Sequence, residues 1–329
     1  MAQRTEKKTA SKKATTKKTA AKKATAKKTA AKKAAVKKSP KKAAAKSDKG
    51  ISGYGSGGVD VVMSVDQIAK EAASISASAP KIGELETLAD NNTFLSINNL
   101  RAGYGKMEIL HDFNLRISQG QSLCLIGPNG AGKSTVLHSI FGFTNIFSGS
   151  IMVGDKDVTR LTPSQKLSEA GIAYILQDKS VFPQMTVEEN LLMGGFLKDK
   201  PVEAKAAAEM VFDKYSRLAE RRNKPAGVLS GGERRLLEIS RALVMQPQVL
   251  LVDEPSIGLE PRFIDMVFEI LEDLQRKDGK TIIMVEQNAK KGLAFADIGY
   301  VLVSGETAIA DEGNKLLENP DVGRLFLGG

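Results

Sequence analysis

Three stretches carry residue types whose spacing suits the handling of a polyphosphate. GPNGAGKST fits G-x-x-x-x-G-K-[ST] at Gly127, Gly132, Lys133 and Ser134. The loop Gly127, Pro128, Asn129, Gly130, Ala131 and Gly132 can turn tightly enough to aim backbone N–H groups inward at phosphate oxygens. Lys133 adds positive charge toward the terminal phosphates, and Ser134 offers a hydroxyl to Mg²⁺. A helix opening at Lys133, Ser134 and Thr135 directs the positive end of its dipole at the same phosphates. VLLVDEP, farther along, is an apolar run that ends in two carboxylates. Asp253 is placed to hold Mg²⁺ through water, and Glu254 to activate an attacking water as general base.

The third stretch is LSGGE, Leu229 to Glu233. Ser230 followed three residues on by Glu233 is a capping box, so it opens a helix expected to run to Pro247. Gly231 and Gly232 are expected to leave that helix end open to a phosphate.

These groups need elements to position them. SLCLI before the phosphate loop reads as a buried strand, and KSTVLHSIFG after it as a helix with Val136, Leu137 and Ile140 on one face. VLLVD and TIIMV (Thr281–Val285) read as short buried strands. Residues 94–117 and 150–153 read as short alternating strands, and 186–245 as mostly helical. Within the helical stretch Thr186 with Glu189 forms a second capping box, and Pro201 suits a first helical position. Cys124, the one cysteine, sits in SLCLI as a buried thiol, so no intramolecular disulfide can form and the cytosol is the simplest compartment. No apolar run approaches the length needed to span a bilayer.

A phosphate loop, then LSGGE, then VLLVDEP, in that order, resembles the ATP-binding cassette (ABC) family of transport ATPases over roughly residues 94–329. The resemblance implies an α/β fold: a P-loop NTPase core of ABC type, with an antiparallel β subdomain and a helical subdomain at about 178–245. It implies ATP and Mg²⁺ as ligands. Tyr104, in RAGYGKMEIL, matches the aromatic that stacks on adenine; Gln177, in YILQD, matches the glutamine that contacts Mg²⁺ and the attacking water. Ser256–Leu259 matches a loop that communicates across a head-to-tail dimer. In such a dimer Ser230 and Gly232 serve the partner's ATP. Where the family usually has a histidine against the γ-phosphate, this chain has Gln287, which can donate a hydrogen bond but carries no charge. The site that contains it is expected to hydrolyse slowly or mainly to bind ATP. VEQN, ADIGYVL and the ending LENPDVGRLFLGG resemble the second ATP-binding subunit of branched-chain amino acid importers, in which glutamine at this place is usual. The short ending argues against an added regulatory domain. The partners implied are a homologous ATPase subunit, two integral membrane permease subunits and a periplasmic solute-binding protein. The place implied is the cytoplasmic face of the inner membrane.

The charge is divided unevenly. Residues 1–49 hold 18 Lys and Arg4 against Glu6 and Asp48, a net +17. The whole chain is +10, so residues 50–329 net −7. The lysine doublets recur every five residues among Ala, Thr and Ser, which gives neither a basic helical stripe nor buriable surface and predicts a disordered tail. Residues 50–58 read as a flexible linker, and 50–93 as a whole as a segment of low order. The tail leaves two further readings open. One is a soluble ABC-type ATPase acting on nucleic acid or ribosomes. The other is a transporter subunit whose tail binds nucleic acid or anionic lipid electrostatically and weakly.

Overall fold

The structure, a computed structural model, describes residues 80–177 and 180–327. The tail expected at residues 1–49 and the linker expected at 50–58 lie outside the described residues. The ordered fold begins before residue 94, the boundary expected from composition. Helix Ile82–Leu88 precedes it and sends Leu85 into the main core beside Leu115 and Ile117.

Strands β1 (Thr93–Tyr104) and β2 (Met107–Ser118) form a hairpin of two 12-residue strands, longer than the short strands expected. Its register shifts between Ile97 and Leu100, near the positive-φ residues Asn99 and Asp112. Bulges of this kind bend a strand without ending it, so the alternation continues through one long element. After β3 (Ser122–Ile126), strands β4 (Asn145–Val153) and β5 (Lys156–Asp157) complete a four-stranded antiparallel sheet ordered β2-β1-β4-β5.

The second sheet is ordered β10-β9-β3-β8-β7-β6. It comprises β3, β6 (Ile172–Ile175), β7 (Val249–Asp253), β8 (Thr281–Val285), β9 (Ile298–Val303) and the antiparallel edge strand β10 (Glu306–Glu312). The run from β9 to β6 is parallel. Every residue of β3, β7 and β8 is buried, which explains why these strands read as unbroken apolar runs. Because β8 alone separates β3 from β7, the loops leaving all three open on one edge.

Helices Val187–Gly194, Pro201–Lys214, Ser216–Glu220 and Gly231–Leu243 share a core of their own that includes Leu191, Val211, Leu218 and Leu237. Both capping boxes form, at Thr186/Glu189 and at Ser230/Glu233, and Pro201 is the first helical residue. The helix that Ser230 opens ends at Leu243, before the expected limit at Pro247, because Gln246 turns to φ 52.

Helix Lys133–Phe141 follows the phosphate loop and ends at Gly142, whose left-handed backbone (φ 96) lets its N–H reach the His138 carbonyl. Its last carbonyls are capped from outside. Lys166, fully buried, donates from Nζ to Ser139 O at 3.1 Å and to Ile140 O at 2.6 Å. Burial pulls the Lys166 ammonium from 10.5 down to about 8. Between about 8 and 10.5 the unfolded chain therefore binds more protons than the folded one, and Lys166 adds stability as pH rises through that window. Relative to Lys166→Met, the unfolding free energy of the parent is expected to rise by on the order of 2 kcal/mol from pH 8 to pH 10.5 in denaturant titrations. A flat or falling difference contradicts this.

Candidate active site

The phosphate loop leaves β3 at Ile126 and enters helix Lys133–Phe141. Its glycines are needed for conformation and for space. Gly127, Gly130 and Gly132 have φ of 143, 84 and 101. A Cβ on Gly127 would lie 2.2 Å from the Leu302 carbonyl oxygen of β9. The sheet thus presses directly on the start of the loop. Lys133 donates from Nζ to the loop's own Gly127 and Pro128 carbonyls, at 2.9 and 3.0 Å. Burial pulls its ammonium down, opposed by the carboxylates of Glu254 and Asp253. Together these contacts hold a cation over the mouth of the loop, the place a phosphate would take.

Asp253 ends β7 and is almost fully buried. Its Oδ1 accepts from the Ser134 hydroxyl at 3.3 Å and its Oδ2 from the Tyr174 phenol at 2.8 Å. Burial, with Asp253 next, pushes the Tyr174 phenol up, so it stays a donor. Glu254 takes a positive φ of 43, and its N–H donates to Val285 O at 2.8 Å, pinning the end of β7 to the end of β8. The Glu254 carboxylate accepts from Gln177 Nε2 at 2.5 Å. Burial, and then the Asp253 charge, raise its carboxyl above the ordinary glutamate value. Gln287 follows β8 and lines the same cleft of about 250 Å³ as Gly127, Lys133 and Glu254.

Helix Gly231–Leu243 grips the chain on both sides of Gln177. Arg235 donates to Leu176 O at 2.8 Å, Glu238 accepts from the Ser180 N–H at 3.4 Å, and Arg241 donates to Ser180 O. The pair Arg235–Glu238, 2.8 Å apart and buried, orders these donors. Gln177 is therefore tied to the helical part by backbone and to the sheet by its own side chain.

Tyr104, at the end of β1, is 43 % exposed. Its phenol lies 2.5 Å from His138 Nδ1, and the two rings meet edge to face. Burial pulls the His138 imidazole down, which favours the neutral ring.

The structure brings together Gly127 to Thr135, Gln177, Asp253, Glu254 and Gln287, with Tyr104 beside the phosphate-loop helix. It does not bring Ser230, Gly231 or Gly232 into the cleft. The two glycines of LSGGE differ in their surroundings, Gly231 being exposed and Gly232 buried. A Cβ on Gly231 would meet only Leu259 Cδ2, at 3.8 Å, whereas one on Gly232 would lie 2.3 Å from the Phe263 ring. Gly232 is buried by packing inside its own chain. Four features of the site were not read from the sequence: the Tyr174 hydroxyl, His138 against Tyr104, the buried carboxylate of Glu286, and Phe326 at the cleft wall. Glu286 had a signal. VLLVDEP and TIIMVEQ are parallel apolar strands that each run directly into an acid.

No cluster of three or more His, Cys, Asp or Glu among the described residues could hold a metal alone. A hydroxyl and a carboxylate oxygen at Ser134 and Asp253 are hard oxygen donors of the kind that suit Mg²⁺.

A glycine-lined phosphate cradle, an oxygen pair for a divalent cation and a carboxylate at the head of a parallel strand define a P-loop nucleoside triphosphatase. The ABC transporter family model matches residues 110–257. The high-affinity branched-chain amino acid transport ATP-binding protein BraG of Pseudomonas aeruginosa is 43 % identical over 235 residues, which is 71 % of this chain and 100 % of that protein. The probable branched-chain amino acid transport ATP-binding protein LivF of Archaeoglobus fulgidus is 38 % identical over 70 % of this chain and 96 % of its own. The crystal structure of a nucleotide-free ATP-binding cassette from an ABC transporter superposes with a TM-score of 0.63 at 28 % identity, covering 72 % of this chain and 100 % of that one. The chain belongs to the ABC transporter ATP-binding proteins and is an ATPase. No helix among the described residues is long and apolar enough to cross a membrane.

Replacing Gly127 by Ala forces a Cβ onto the Leu302 carbonyl and a strained φ onto the loop. Gly127→Ala is expected to weaken ATP binding by at least about tenfold, roughly 1.4 kcal/mol, in a fluorescent-nucleotide titration. Parental affinity would mean that the contact with β9 does not shape the loop.

Proposed function

We propose that this chain is the ATP-hydrolysing subunit of an importer for branched-chain or other hydrophobic amino acids, working at the cytoplasmic face of the inner membrane. The observation that carries the reading is the 43 % identity spanning the full length of BraG, joined to an intact phosphate cradle. Its partners are a homologous ATPase subunit, for which a second copy of this chain stands in when the chain is isolated, two integral membrane permease subunits and a periplasmic solute-binding protein. An apolar groove between the helical part and the sheet, lined by Phe182, Met193, Phe196 and Met245, is the surface offered to the permease.

In this reading Tyr104 stacks on adenine. The N–H groups of Gly127 to Thr135 and the Lys133 ammonium, released from its own loop carbonyls, hold the β- and γ-phosphates. Ser134, Asp253 and Gln177 would hold Mg²⁺, which when bound would offset the charge of the phosphates. Glu254 takes a proton from the attacking water, and its desolvated carboxylate is the stronger base for that work. The amide of Gln177 must leave Glu254 or share it with the water, so hydrolysis waits on the segment that the helical part grips. Gln287 donates to the γ-phosphate. Ser230 and Gly231 face the nucleotide of a second copy; Gly232 supports them by letting Phe263 pack close.

Two outcomes are expected. Glu254→Gln keeps ATP affinity within about twofold and lowers the turnover rate by roughly 10²–10⁴-fold in phosphate-release assays; hydrolysis at the parental rate removes Glu254 from the mechanism. Cells lacking this chain lose high-affinity uptake of radiolabelled leucine, isoleucine and valine. Undiminished uptake of all three contradicts the assignment of solute.

A further inference from the structure

Glu286 has no part in the mechanism above, yet the chain buries its carboxylate at the edge of the phosphate cleft. The residue is 2 % exposed. Among the described residues its hydrogen-bond donors are all neutral. Oε1 accepts from the Ser256 hydroxyl at 2.7 Å and from the Asn288 N–H at 2.9 Å, and Oε2 accepts from the Ser256 N–H at 3.3 Å. An apolar side chain would fill this position without the cost of burying a charge.

The surroundings leave the side chain one place to be. Gly292 presses the helix Ala289–Phe295 against it, where a Cβ would stand 3.0 Å from Glu286 Cβ and 2.6 Å from Cys124 Sγ. The partners lie on two loops of the site. Ser256 stands two residues after Glu254, and Asn288 one residue after Gln287. These loops already touch through the Glu254 N–H and the Val285 carbonyl, at 2.8 Å. One tie leaves two loops free to hinge; a second tie, at Ser256, fixes the angle between them.

We propose that Glu286 is a positioning residue for ATP hydrolysis, acting through Ser256 and Asn288 to hold Glu254 and Gln287 at a fixed separation across the cleft. The proposal rests on the reading of Glu254 as general base. It separates the geometry of hydrolysis from the binding of ATP, because among the described residues Glu286 accepts from Ser256 and Asn288 and from no residue of the cradle at Gly127–Thr135.

The test uses the full-length chain with Mg-ATP and compares Glu286→Ala, Glu286→Gln and Ser256→Ala. In Glu286→Ala the kcat is expected to fall by about tenfold to about a hundredfold while ATP affinity stays within about twofold. Glu286→Gln keeps an acceptor oxygen for the Ser256 hydroxyl and the Asn288 N–H, and is expected to recover most of the lost kcat. A parental kcat in Glu286→Ala overturns the proposal. So does an equal loss of kcat and ATP affinity, which marks a residue that only supports the fold. If Glu286→Ala does not fold, Ser256→Ala decides, since it deletes the shortest contact and leaves the carboxylate. A lower kcat at unchanged affinity then supports the proposal, and a parental kcat overturns it. Glu254→Gln run alongside separates the two levels: if it hydrolyses ATP at the parental rate, the reading beneath the proposal fails, whatever Glu286 does.

Discussion

The Asp253 carboxylate, held between the Ser134 hydroxyl and the Tyr174 phenol, is the constraint on which the rest of the site depends. It joins three elements that the chain visits far apart: the phosphate-loop helix, β6 and β7. The sheet order makes the meeting possible. With β8 inserted between β3 and β7, the two motif-bearing strands stand one strand apart and point the same way. Glu254, next along, is then turned into the cleft by a backbone that only a tight anchor sustains, and the Val285 carbonyl supplies it. Losing the Asp253 contacts would free the phosphate-loop helix, the Gln177 segment and the end of β7 from one another.

Much of this was legible in the residues. The phosphate loop, the strand and helix that flank it, both capping boxes and the buried strands VLLVD and TIIMV follow from patterns within a few residues of each other. Local rules decide such features, and the structure obeys them. What could not be read depends on contacts between distant residues. The full length of the hairpin β1–β2 could not be read because its pairing across register shifts joins residues distant in sequence. Gly232 looked open because nothing near it in sequence announces Phe263. Tyr174, His138 and Glu286 gain their surroundings only once β6, the phosphate-loop helix and β8 are side by side. Helix Ile82–Leu88 was hidden by a small, polar neighbourhood, with Leu85 as its one core residue.

The site also has two kinds of polar group, treated differently by the fold. Lys133, Glu254 and Gln177 are paired with protein groups they can exchange for a ligand: loop carbonyls, and each other. Glu286, Lys166, Arg235 and Glu238 are instead buried in contacts within the protein, each joining two elements of the fold. Burying charge is unfavourable unless it is paired, so these contacts resist the loss of a partner.

The central claim is that this chain carries two half-sites, a cradle at Gly127–Thr135 and an exposed helix end at Ser230–Gly231 that serves another copy. It is tested most directly by the ATPase rate of a 1:1 mixture of Lys133→Ala and Gly231→Glu chains, each inactive alone. Gly231 has room for the added side chain, and a glutamate in a first helical turn spares the helix while repelling phosphate. If the half-sites combine across a dimer, mixed dimers regain one intact site and the mixture recovers up to about a quarter of the parental rate. A mixture as inactive as its components would contradict the account.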